Sequence, residues 1–141
     1  MSQDASPSPA KALLLVESNV EDAFAFSRAV KASELRCDFY TVSSAELAKR
    51  YLIAGSSDVA CVPATIVISM GLGAPATADL MEWIRGRDYL RTSAVFVLLE
   101  EASAEMVGWP ALLSKPVSGP ALRRALMEAT SKRALASKNA E

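Results

Sequence analysis

The sequence predicts an α/β domain, a five-stranded parallel sheet with helices on both faces. Residues 13–16, 66–68 and 94–99 are continuous apolar runs too short for helices, which is how strands buried on both faces read. Between them lie segments with apolar residues at helical spacing, each opened by a serine, threonine or asparagine suited to capping. Strand and helix therefore alternate, the pattern of parallel sheets. With 141 residues and neither an internal repeat nor a visible second domain, one core is expected.

Composition narrows the function classes. Fifteen basic against sixteen acidic residues leave a net charge of −1, so no overall field favours nucleic acid or an anionic membrane, and neither is expected as a partner. No apolar run approaches the roughly 18–20 residues that span a bilayer, and no secretory apolar segment opens the chain, so a cytoplasmic location is expected. Cys37 and Cys61 lie far apart in no metal-like spacing and read as small hydrophobes. Histidine is absent. That removes the commonest general base, the usual triad partner and the commonest transition-metal ligand, so no catalytic residue, metal or cofactor is expected.

Along the chain, residues 1–10 are rich in Ser, Pro and Ala and read as a disordered lead-in. Strand one covers 11–17 and ends in Glu17; Ser18 or Asn19 caps a helix to about Ala32, with Val20, Ala23, Phe24, Ser27 and Val30 as its inward stripe. Strand two is 37–42. A second helix, 45–54, turns Leu47, Tyr51 and Leu52 inward and stops at Gly55. The central strand ends at Ser69, where the carboxyl edge of the sheet opens. The loop 71–75 follows, then a third helix over 77–85 packing Leu80, Met81 and Ile84, with Trp83 at the rim. The fourth strand is 94–99. Residues 100–108 leave room for two helical turns at most before a fifth strand, 111–114. Ser118 starts a last helix with Leu122, Ala125, Leu126 and Ala129 on one face, and 132–141 read as a frayed tail.

Glu17 ending strand one, the apolar central strand after Pro63, and Leu113-Ser114-Lys115-Pro116 before the last helix together resemble the receiver domain of response regulators. The resemblance covers about 11–131 and implies a flavodoxin-like (βα)5 three-layer fold with the fourth helix short or absent. It also implies a site. In that family the central strand ends in the aspartate that accepts phosphate, and here stands Ser69. Two adjacent acids after strand one hold Mg²⁺, and here Glu17 is followed by Ser18. A hydroxyl residue ends strand four, and here stands Leu99; the aromatic switch residue of strand five is Leu112. Glu17 and Lys115 match. The pocket is thus degenerate: a serine hydroxyl is un-ionised at neutral pH, no histidine activates it, and one carboxylate makes a poor magnesium site. Glu17 and Lys115 are expected to form an ion pair filling it, and Leu99 and Leu112 to be packing residues.

The expected function is a stand-alone, non-enzymatic, phosphorylation-independent pseudo-receiver in two-component signalling that binds a protein partner or dimerises. Its expected interface comprises Trp109, Pro110, Leu122, Arg123 and Leu126, where receivers commonly pair. The alternative is a sensor of a nucleotide second messenger, with Arg85, Arg87 and Arg91 as anion contacts. The Gly71-Leu72-Gly73 stretch lacks the remaining features of a phosphate loop and reads as a turn.

Overall fold

The computed structural model describes residues 11–58, 61–100 and 111–139. Five strands, β1 (Lys11–Val16), β2 (Cys37–Val42), β3 (Thr65–Ser69), β4 (Ala94–Leu99) and β5 (Ala111–Ser114), pair in parallel in the order β2-β1-β3-β4-β5. They alternate with α1 (Val20–Ser33), α2 (Ala45–Ala54), α3 (Ala74–Arg85) and α4 (Gly119–Asn139), and short 3-10 turns cover Met70–Leu72 and Asp88–Leu90. The strand boundaries follow the apolar runs, and the architecture is the flavodoxin-like one.

The continuous runs are explained by two cores. Because strand side chains alternate between faces, Leu14, Val16, Ile66 and Ile68 pack with Leu52, Leu80 and Ile84 on the α2/α3 side. Leu13, Leu15 and Val67 pack with Phe26, Ala29 and Leu122 on the α1/α4 side. Register then sets the site. Val16 pairs with Ile68, so Glu17 and Ser69 emerge side by side at the carboxyl edge, where β1 feeds β2 on one side and β3 lies on the other.

Several expectations are corrected. In α1 the inward residues are Phe26, Ala29, Val30 and Ser33, whereas Val20 and Phe24 are 82% and 62% exposed. Phe26 stacks on Phe39 of β2 with ring centroids 6.0 Å apart, and Arg28 covers Phe24 instead. In α2, Ala48 and Leu52 are buried and Leu47 is exposed. Helix α3 starts at Ala74, earlier than expected, because Pro75 suits a first helical turn and Gly73, at φ 101°, makes the bend before it. Helix α4 continues to Asn139, through the expected tail. Leu112 is exposed rather than packed, since Leu113 is the residue of edge strand β5 that turns to the α1/α4 core. Leu122, expected at an interface, is fully buried in that same core. Cys37 is half-buried and Cys61 exposed, and both thiols are free. The expected short fourth helix, with Trp109 and Pro110, falls in 101–110, outside the described residues, as does the lead-in 1–10.

Candidate functional site

Two strand ends bring the site together. The Glu17 amide donates to the Val42 carbonyl at 2.9 Å and the Lys115 amide to the Leu99 carbonyl at 2.8 Å, extending the ladders by one residue each. Asn19 caps α1, its side chain accepting from the Asp22 amide at 2.9 Å. That cap turns the first turn of α1 back over the sheet edge. Asp22 thereby comes within 2.8 Å of the Lys115 ammonium, which also lies 3.0 Å from Glu17 Oε1. The peptide bond joining Lys115 to Pro116 is cis.

Glu17 is the most confined of these groups. Its side chain is wholly buried, and Oε2 accepts the Asn19 amide at 3.1 Å. Oε1 faces the Lys115 ammonium at 3.0 Å, so the buried carboxylate is charge-paired. Burial pulls the Lys115 pKa down, but hydrogen bonds and charge from Asp22 and Glu17 outweigh it, and the net displacement is upward. Lys115 is a cation at neutral pH.

Ser69 sits at the apex of β3, fully buried. Its hydroxyl accepts the Gly71 amide at 3.0 Å, and its carbonyl accepts Thr77 Oγ1 at 3.2 Å. The position is thus tied to the turn that follows it. A Cβ at Gly71 would stand 3.1 Å from both Glu17 Oε2 and Ser69 Oγ, so glycine lets this turn close over the pocket. Ser18 is exposed, its hydroxyl 3.4 Å from the Gly71 carbonyl, and Leu99 is buried in the core. Around these groups opens a cleft of about 550 Å³ lined by Glu17, Asn19, Asp22, Gly71, Glu100 and Lys115, among others.

The residues present do not fit the magnesium ion that receivers hold at this edge. Lys115 occupies the approach to Glu17, the residue after Glu17 is Ser18, and the end of β3 offers the Ser69 hydroxyl. Among the described residues no three carboxylate, cysteine or histidine groups converge as metal ligands. The three arginines do not converge either. Arg85 pairs with Glu82 at 3.1 Å, and Arg87 stacks over Trp83 at 4.5 Å. Arg85 and Arg91 line a separate groove of about 290 Å³ with Met81, Ile84, Leu90 and Val95. Of the expected interface residues, Arg123 is exposed and donates to the Ser33 carbonyl at 3.0 Å, and Leu126 is half-buried against the α1/α4 core.

Sequence reasoning missed Asp22 as a direct partner of Lys115, Thr77 as the anchor of Ser69, and Glu100 on the cleft wall. Asp22 had a signal: the first turn of a helix leaving strand one stands over the carboxyl edge, within reach of a lysine ending strand five. Thr77 had none, because its role depends on where α3 begins.

No protein-family model matches the chain, and no curated protein matches it in sequence. Solved structures do match. A bacteriophytochrome response regulator is 21% identical with a TM-score of 0.71, over 86% of this chain and 93% of that one. A two-component response regulator from Cytophaga hutchinsonii is 14% identical with a TM-score of 0.75, over 88% and 99%. The chemotaxis response regulator CheY4 of Vibrio cholerae is 15% identical with a TM-score of 0.66, over 85% and 98%. The chain has the fold of the response-regulator receiver domains.

Proposed function

We propose that the chain works in signal transduction as a receiver-type module that is not phosphorylated and acts by binding another protein or a second copy of itself. The observation that carries this reading is the state of the β3 apex. Phosphoryl transfer to a receiver needs a carboxylate nucleophile with a divalent cation beside it. Ser69 is a buried hydroxyl already engaged by the Gly71 amide, and the lysine that would meet a phosphoryl group is held between Glu17 and Asp22. The charges that hold this lysine belong to the chain itself. Among the described residues no helix is long and apolar enough to cross a membrane.

The test is incubation with acetyl phosphate and Mg²⁺, and separately with a phosphohistidine donor, read by intact-protein mass. The expected result is an unmodified chain with either donor. A stoichiometric phosphorylated species overturns the reading.

A further inference from the structure

We infer that a second copy of this chain pairs with it through the outer face of α1, the two helices running antiparallel. The inference names one partner for the binding reading above and rests on it. Helix α1 buries Phe26, Ala29 and Val30, yet Val20 and Phe24 stand on its outer side, the two most exposed large apolar side chains among the described residues. A helix face turned to water is ordinarily polar.

The outer face is open along its whole length. Val20, Glu21, Phe24, Ala25, Arg28 and Lys31 are all exposed and recur at the spacing of one helix face. Along the axis this face has an acidic end at Glu21, an apolar middle at Phe24 and Ala25, and a basic end at Arg28 and Lys31. Glu21 and Lys31 make no ion pair with any described residue. About 15 Å apart along the axis, they are too distant to pair with each other.

A second copy satisfies both ends at once. Turned end for end about the level of Phe26, its α1 sets Lys31 against Glu21 and Arg28 against Phe24, and the two-fold symmetry repeats both contacts. Arg28 already lies over its own Phe24, 5.3 Å from the ring centroid, so a cation stands at the level where the second ring arrives. A parallel pairing would set Glu21 against Glu21 and Lys31 against Lys31, with the helix dipoles aligned, so the antiparallel one is favoured. A foreign surface of a single charge sign would match only one end of the face. The helix has 14 residues, about four turns. That contact is small beside the roughly 1,200 Å² or more of a standard interface, so the pairing is reversible.

The experiment is sedimentation velocity of the full-length chain from about 10 µM to about 1 mM, a range that brackets a weak dimer. A concentration-dependent rise from monomer toward dimer is expected, receding as salt is raised. Glu21→Lys and Lys31→Glu each place like charges at both symmetric contacts and are expected to weaken association about tenfold. Both side chains are exposed. An equimolar mixture of the two variants restores opposite charges at both contacts and should recover the association of the parent, which also shows that each variant is folded. A chain that stays monomeric throughout, single variants that associate like the parent, or a mixture that stays dissociated each overturns the inference. So does association that is lost in Met127→Glu, an exposed position of α4, while both α1 variants associate unchanged. Phosphorylation by the donors above would sink the functional reading instead. A monomer that stays unphosphorylated leaves that reading standing with a foreign partner, so the two failures are distinguishable.

Discussion

Lys115 is held by two carboxylates in different surroundings, Glu17 wholly buried and Asp22 at 39% side-chain exposure. Removing the ammonium strands the buried one. Lys115→Met is therefore expected to cost about 3 kcal/mol in urea unfolding at neutral pH, and Glu17→Gln added to it to recover most of that loss. A single variant within about 0.5 kcal/mol of the parent would show that the pair is not buried as described. The pH dependence has a definite sign. Because the folded-state pKa of Lys115 is raised above the ordinary 10.5, its contribution is complete below pH 10.5 and fades as pH climbs through the higher folded value. The stability gap between parent and Lys115→Met should stay level up to that point and narrow above it; a gap that narrows toward neutral pH is incompatible. The pair of Glu17 and Lys115 was legible in the sequence because strand ends and a Lys-Pro step mark the carboxyl edge. Asp22 was signalled only by its place in the first turn of α1, since its reach depends on which residue caps that helix, and Ser18 and Asn19 were equal candidates until the cap geometry chose Asn19.

At the scale of elements, strands were more legible than helix faces. A strand buried on both sides shows as an unbroken apolar run, whereas α1 carries two overlapping apolar stripes, and the partner of one phenylalanine decides between them. Phe39 on β2 takes Phe26, and Phe24 rotates to solvent beneath Arg28. Contact between α1 and α4 has a similar hidden requirement. A Cβ on Gly119 would lie 2.6 Å from the Ala32 carbonyl carbon and 2.7 Å from its Cβ, neither of which is the flexible end of a side chain. Gly119→Ala must therefore push the start of α4 off α1, at a cost of about 1–3 kcal/mol. Gly86 closes α3 at φ −82°, with the nearest atoms to a new Cβ 3.6 and 3.7 Å away. There alanine fits, and Gly86→Ala is expected to raise stability by about 0.4–1 kcal/mol by restricting the unfolded chain. Thermal melts of the two variants should shift in opposite directions; a shared direction would mean that α1 and α4 approach less closely at Gly119 than the 2.6 Å separation requires.

For the molecule as a whole, the question is whether the two cores act as one. They lie on opposite faces of a single sheet, and residues adjacent along one strand, such as Val67 and Ile68, belong to different cores. The shared backbone joins the layers, so unfolding one face removes the hydrogen-bonded partner strands of the other and the chain should unfold in one step. Side-chain contacts, by contrast, stay within a layer. Ile84→Val, in the α2/α3 core, is expected to cost about 0.5–1.5 kcal/mol, and Val30→Ala, in the α1/α4 core, about 1–3 kcal/mol. Because the sheet separates them, their effects should add to within about 0.5 kcal/mol in the double variant, with one urea transition and an unchanged slope. A second transition, or a shortfall from additivity beyond that margin, would mean that each layer melts on its own.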